Sequence, residues 1–287
     1  MKKFTKKIEP YLYLLPALIL LGLFVYYPFG KTVVGSFFLV DRYGDFSKFT
    51  GLKNYIRLFS DEGFYRALFN TLKHLVMMVP STIGLSLLLA LFSDKKSRFS
   101  RIYETLFCLS MAVSTAVAGK IFQMLFNPSL GIINSVLGLD ISWLTDKRYA
   151  LPALTVILVW TELGFSYIYL TAAIRNLPED VLESADVEGA SRLQKVWRIV
   201  LPLISPSLFY LFCTLSVSSM IMVRLVLILT QGGPAGSTET LIYRMNNLAY
   251  NNSNYSSAYA LGVVVFVMVL GLMVLNFWME KRSVFYE

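Results

Sequence analysis

A chain of 287 residues that is 56% apolar and only 15% charged, with a mean hydropathy of +0.59, carries too little charge to cover a water-soluble domain, in which about a quarter of residues are charged. This composition excludes a soluble cytosolic enzyme and a disordered chain alike. The net charge of +8, from 26 Lys and Arg against 18 Asp and Glu, concentrates between apolar runs, where basic residues orient a membrane chain and meet anionic headgroups rather than nucleic acid.

Six segments reach the length of about 20 apolar residues that a helix needs to cross a hydrocarbon core. They cover residues 11–33, 67–92, 102–126, 150–174, 206–230 and 256–279. The first reads as a span rather than a cleaved leader, because its apolar stretch runs on past Leu23 to Tyr27 and no small-x-small cleavage site follows. With the N-terminus inside, the inner segments 1–10, 93–101, 175–205 and 280–287 hold 14 Lys and Arg in 58 residues, and the outer segments hold 8 in 81. The contrast is sharpest at Lys2, Lys3, Lys6, Lys7 and at Lys95, Lys96, Arg98, Arg101. The expectation is one all-α membrane domain over residues 11–279 with both termini cytoplasmic. The outer loop 34–66, with Gly44, Gly51 and Gly63, is too short to fold by itself.

The motifs of self-sufficient chemistry are missing. Gly30-Lys31-Thr32 resembles the end of a phosphate-binding loop, but the first glycine of that pattern would fall at Val25, inside an apolar helix. There is no H-E-x-x-H and no G-x-S-x-G, and His74 is the only histidine. Cys108 and Cys213 lie in apolar runs, as buried small hydrophobes do. The chain reads as binding no metal, holding no catalytic residue and being no enzyme by itself.

One inner segment, 175–205, breaks the pattern of short loops. Pro178 followed by Glu179 and Asp180 suits a first helical turn, and Val181, Leu182 and Ala185 make one apolar face. Gly189 can take a positive φ and turn the chain. Ser191-x-x-Gln194 matches a capping box, and Leu193, Val196, Trp197 and Val200 carry helical spacing. On composition alone the segment is an amphipathic hairpin on the inner leaflet.

The order of its residues says more. Glu183-Ser184-Ala185-Asp186-Val187-Glu188-Gly189-Ala190, followed by Ile199 and Pro202, resembles the E-A-A-x-x-x-G-A loop and the I-x-L-P that follows it in ABC importer permeases. Three positions depart: Ser184 stands where alanine is usual, Glu188 where aspartate is, and Val196 where an aromatic is frequent, with Trp197 beside it. Phe49-Thr50-Gly51-Leu52-Lys53-Asn54-Tyr55, then Phe126-Asn127-Pro128 through Gly131-Ile132-Ile133-Asn134, and Leu229-Thr230-Gln231-Gly232-Gly233-Pro234-Ala235 extend the resemblance over nearly the whole chain. They narrow it to carbohydrate-type permeases similar to those for maltose, lactose or glycerol phosphate.

The resemblance implies the MetI-like fold of a type I importer and a chain that is half of a transmembrane pore. It also implies a second, homologous permease subunit as heterodimer partner, two ATPase subunits that carry ATP and Mg, an extracytoplasmic solute-binding protein, and no cofactor on this chain. Glu183, Ser184, Ala185, Asp186, Glu188, Gly189, Ala190 and Pro202 would form the element coupled to the ATPases. The implied cargo is a sugar or oligosaccharide, with a phosphorylated polyol such as glycerol 3-phosphate as the alternative. A self-sufficient channel or ion-coupled carrier is the rival class, but residues 1–140 and 141–287 show no clear internal repeat of the kind expected of such carriers.

Intramembrane ionisable residues are candidates for the solute path, since a charge at the centre of a span costs about 2.5–3.5 kcal/mol on insertion scales. Arg224 and Ser219 in the fifth span, with Ser216 and Ser218 close by, and Glu162, Trp160 and Tyr167 in the fourth are the expected path residues, Ser216 and Ser218 being neighbours only. An Arg224–Glu162 ion pair is the structural alternative, and His74 is expected to be a hydrogen-bonded interior residue.

Overall fold

The computed structural model describes residues 2–93 and 98–283. Lys95, Lys96 and residues 284–287 lie outside the described residues, as do the side chains of Lys2, Lys3, Lys6, Lys7, Arg98 and Arg101.

The chain opens with α1 (Lys2–Leu21), a wide π turn (Gly22–Tyr26) and α2 (Tyr27–Gly35). The wide turn sits just before Pro28, whose ring cannot donate to, and crowds, the carbonyl one turn back. Next come β1 (Phe38–Val40), β2 (Phe46–Phe49) and α3 (Lys53–Phe59). The strands pair antiparallel, Phe38 opposite Phe49. At the tip, Asp41 Oδ1 accepts from the amides of Tyr43 and Asp45, each at 2.9 Å. Sequence periodicity left this hairpin as loop because its strands are only three and four residues long and carry no clean alternation.

Beyond it lie α4 (Glu62–Ser93), α5 (Arg98–Ala112), α6 (Thr115–Leu125), α7 (Ile132–Leu137) and α8 (Ala150–Arg175). They are followed by α9 (Glu179–Val187), α10 (Arg192–Lys195), a second π turn (Val196–Val200) ahead of Pro202 in α11 (Leu201–Leu203), and α12 (Ser205–Met220). A π turn (Val226–Thr230), α13 (Leu241–Asn246), another π turn (Asn247–Asn251) and α14 (Tyr255–Ser283) complete the chain.

These elements form two compact units, one of residues 1–62 and 245–267, the other of 63–244 and 268–287. In the first, the F-T-G-L-K-N-Y stretch is a clasp. Asn54, 3% exposed, donates from Nδ2 to the carbonyls of Ser36 and Phe38, both at 2.9 Å. The amide of Thr50 donates to Phe37 at 2.8 Å. The hydroxyl of Ser256 at the start of α14 accepts from the amide of Val40 at 2.8 Å. Gly35 has no room for a side chain, since a Cβ there would lie 2.6 Å from the Tyr259 ring.

In the second unit α8 is central. Half of its most apolar stretch is buried inside the chain, against 28% for α4, as expected of a helix apolar on all sides. One cluster joins Met78 and Val79 of α4 to Tyr167, Leu170 and Ile174 of α8 and to Leu211 and Leu215 of α12. A second joins Ala118 of α6, Leu151, Leu154 and Ile157 of α8, and Leu225 and Val226. His74 Nδ1 lies 2.9 Å from Thr155 Oγ1, and Thr155 donates its own proton to Leu151 O, so the imidazole is the donor of the pair.

Among the described residues, four helices are long and apolar enough to cross a membrane, or up to six if each of two bent pairs is one span. The expected third span is not straight. It bends by 109° between α5 and α6, where Ser114 leaves the helical conformation and caps α6 by accepting from the amide of Val117. The expected fifth span stops at Met220, and a short helical run resumes at Arg224. An apolar count passes over both breaks because the residues on either side stay apolar.

The close approach of α5 to α8 depends on Gly164, whose amide donates to Ser110 Oγ at 3.2 Å; a Cβ there would sit 2.4 Å from that oxygen and 2.6 Å from Phe107 O. Gly164→Val is expected to cost about 1–3 kcal/mol of stability through overpacking, read as a lowered thermal midpoint of the detergent-solubilised protein.

Candidate functional site

The loop 175–205 is a turn closed by its own backbone. Gly189 has φ +77. The amide of Ala190 donates to Ala185 O, and that of Gly189 to Asp186 O, both at 3.0 Å. This pair of bonds ends α9 in a Schellman turn, in which a left-handed residue follows the helix and small apolar residues meet across the ends. It gives a local reason for the motif: Gly189 supplies the left-handed conformation, and Ala185 (5% exposed) and Ala190 hold the two ends of the longer bond. Ser191 and Gln194 make both bonds of a capping box, and Asp186 and Lys195 form an ion pair across the turn. Glu183, Ser184 and Glu188 are exposed and Pro202 is half-buried in α11. Val187, Leu193 and Trp197 are exposed as well, Val187 at 89%. The loop's root is tied down where Arg175 pairs with Glu104 of α5 and donates to Ser93 O of α4. The Asp186–Lys195 and Arg175–Glu104 pairs escaped the sequence reading, because nine and 71 residues separate the partners.

A second feature is a cavity of about 420 Å³ at the break after α12, lined by Thr115, Leu158, Glu162, Ser218, residues 221–223, Arg224 and Leu225. Of the expected path residues, Glu162 and Arg224 meet here. Ser218 Oγ donates to Glu162 Oε1 at 3.0 Å, and the guanidinium of Arg224, an exposed residue, makes no hydrogen bond or ion pair among the described residues, so the Arg224–Glu162 bridge is not formed. Ser219 is 1% exposed with its hydroxyl unpartnered. Trp160 stacks edge-on with Phe122 at 5.5 Å, and Tyr167 packs against Phe107 at 5.1 Å inside the core. These three side chains are not part of the cavity lining. Ser218 and Thr115 are polar lining groups outside the expected set; Ser218 enters the sequence reading only as a neighbour of Ser219, and its helical phase, one residue away, is the signal that separates the two.

The break is held from the loop that follows it. Thr240 Oγ1 donates to Met222 O at 2.9 Å, and the amide of Leu241 donates to Thr71 Oγ1 on α4 at 3.0 Å. Asn70 Nδ2 donates to the carbonyls of Gly236 and Glu239. In the Q-G-G-P-A-G stretch, Gln231, Gly232, Ala235 and Gly236 all have positive φ. The Tyr243 hydroxyl donates to Gln231 O at 2.6 Å. Burial, then the negative charge of Glu239, raise its pKa above the ordinary tyrosine value, which keeps it a donor. The N-P to G-I-I-N stretch closes likewise: Asn134 donates to Pro128 O and Ile141 O and accepts from Trp143 Nε1 at 2.7 Å.

With a broken-helix wall, a polar cavity beside the break and a capped hairpin between α8 and α12, the molecule has the parts of a membrane transport subunit. The chain belongs to the binding-protein-dependent transport system inner membrane component family, whose pattern it matches over residues 82–284; it is a multi-pass membrane permease subunit of the ABC importer type. It is 32% identical to the sn-glycerol-3-phosphate transport system permease protein UgpA of Agrobacterium fabrum, with 97% of each chain covered. It is 34% identical to the UgpA of Yersinia pseudotuberculosis, with 96% of each covered. Its fold is shared with a chain of the crystal structure of a bacterial alginate ABC transporter in complex with an alginate pentasaccharide-bound periplasmic protein. There the TM-score is 0.82 at 24% identity, with 98% of this chain and 97% of that chain covered. An inward-facing MetNI methionine ABC transporter matches at a TM-score of 0.54 and 15% identity, over 81% of this chain and 99% of that one.

Two substitutions test the local geometry. No atom lies within 4 Å of a Cβ built at Gly189, so the cost of Gly189→Val is the left-handed backbone alone, about 1–2 kcal/mol; hydrogen exchange of the Ala190 amide should quicken about tenfold, and Gly189→Asn should show less. Thr240→Val leaves Met222 O without its donor and should lower stability by about 1–3 kcal/mol, read by thermal denaturation.

Proposed function

We propose that the chain is one half of the transmembrane pore of an importer for a sugar or oligosaccharide. A second homologous permease subunit completes the pore, two ATPase subunits hydrolyse ATP with Mg, and an extracytoplasmic binding protein delivers the solute; this chain holds no cofactor. Residues 11–279 form the membrane domain, with residues 1–10 and 280–287 in the cytoplasm.

The observation that carries this reading is the turn Glu183–Ala190. Closure of a distant motor reaches a membrane helix only through an element that does not yield, and two closed backbone bonds, a capping box and an ion pair make this hairpin such an element. Exposed Val187, Leu193 and Trp197 offer apolar surface to a cleft on the ATPase, and Glu183 and Glu188 offer charge, while Asp186 is held by Lys195. Arg175, paired with Glu104, joins the hairpin's root to α5, through which a push reaches the bend at Ser114. A phosphorylated polyol is the second reading, favoured by the names of relatives that align over nearly the full length.

The test is solute uptake by cells lacking their own copy of this chain. The full-length protein should restore uptake that stops when ATP is depleted. Gly189→Trp should lower that uptake at least about tenfold, a barrier change of about 1.4 kcal/mol, while solute affinity of the binding protein stays unchanged. Solute entry into vesicles that contain this chain alone would overturn the proposal in favour of a channel or ion-coupled carrier.

A further inference from the structure

The cavity beside the helix break has a charge arrangement that bears on its cargo. Its lining contains one carboxylate, Glu162, and one guanidinium, Arg224, and the two do not pair. Ser218 binds Glu162 Oε1 at 3.0 Å, which fixes the carboxylate's direction without neutralising it. Glu162 Oε2 and the whole Arg224 fork are without partners among the described residues. The wall therefore presents an open acceptor and an open set of up to five donors, and the volume of about 420 Å³ lies within the usual range for ligand pockets, about 300–1,000 Å³.

We propose that Glu162 and Arg224 form a charge-balanced selectivity pair for a neutral polyhydroxyl solute and select against an oxyanion. The inference rests on the reading of the chain as half of a solute pore. A hydroxyl group both donates and accepts, so one polyol satisfies the carboxylate and the guanidinium together and adds no charge to a wall whose own charge sums to zero. A phosphate monoester carries about −1.5 to −2 at neutral pH. At this wall it gains from Arg224, but at comparable distance it loses a similar amount to Glu162, and most of its charge stays uncompensated. The single cation of this chain's cavity is too little for a phosphate, and the carboxylate that Ser218 holds in place has no use for one. The cargo assigned here thus differs in class from the one in the relatives' names.

Cells lacking their own copy of this chain, complemented with the full-length protein or its variants at matched membrane levels, are given a defined medium. It contains neutral oligosaccharides, sn-glycerol 3-phosphate and uronate disaccharides, and each solute's depletion is followed by mass spectrometry. The expected result is chain-dependent depletion confined to neutral solutes, lowered about tenfold by Glu162→Gln and by Arg224→Gln. Glu162→Gln keeps an acceptor for Ser218, and the sign of its effect decides between the cargoes: a neutral solute loses an acceptor and slows, whereas an anion loses a repulsion and speeds up. Chain-dependent depletion of the phosphate or the uronate that rises in Glu162→Gln would overturn the inference and leave the importer reading standing, as would neutral uptake that neither variant changes. No chain-dependent, ATP-dependent depletion of any solute would overturn the importer reading, and this inference with it.

Discussion

A helix that breaks inside an apolar wall frees backbone groups that lipid cannot satisfy, and in the second unit a set of long-range and capping bonds meets that demand. At the break after α12, Met222 O is taken by Thr240. Thr240 is held in place because the loop before it is bound to Asn70 and the residue after it to Thr71 on α4. At the bend between α5 and α6, Ser114 supplies the cap. With both interruptions satisfied, α6 and the segment after α12 can pack together, Gly119 against Leu225 and Leu229. The cavity opens beside them with Glu162 and Arg224 in its wall.

The hairpin at the other end of α8 obeys a different economy. Its bonds are short-range: the Schellman pair spans five residues, the capping box three, and the ion pair nine. Each is modest by itself, and an exposed ion pair adds at most about 1 kcal/mol. Together they close the turn from both sides while keeping Val187, Leu193 and Trp197 exposed. A closed turn with exposed apolar surface suits the docking role proposed for it, and the α8 core of Tyr167, Leu170 and Ile174 lies in the packed cluster behind it. Cavity and hairpin thus share α8, Glu162 in its middle and Arg175 in its last turn.

The motifs that carried the family resemblance have separate physical reasons once the backbone is known. Asn54 clasps the first hairpin to the end of α2. Gly131 has backbone oxygens of residues 125 and 127 within 2.4 Å of where a Cβ would lie, so that loop admits no side chain there. The glycines of Q-G-G-P-A-G include two left-handed positions, Gly232 and Gly236, which the bonds to Asn70 and Tyr243 require. The motifs are thus turns and clasps that hold the ends of helices, and the charged groups of the cavity wall, Glu162 and Arg224, lie outside them.

The sequence by itself determined whatever depends on composition or on neighbours within about a dozen residues: the membrane class, the apolar segments, the basic flanks, and the hairpin with its glycine and capping box, whose bonds are nearly all local. It also placed Glu162 and Arg224 among the candidates, because a charge inside an apolar run is visible without a structure. Only the tertiary structure decided where the helices break, since the groups that satisfy each break are either distant in sequence, as Thr240 is from Met222, or indistinguishable from an ordinary helix residue, as Ser114 is. It also decided which polar side chains face one another: Ser218 rather than Arg224 meets Glu162, and Tyr167 lies in the core. The rotation of two helices about their axes is set by close-packing at contacts such as Gly164 on Ser110, and the order of residues in either helix alone does not contain it.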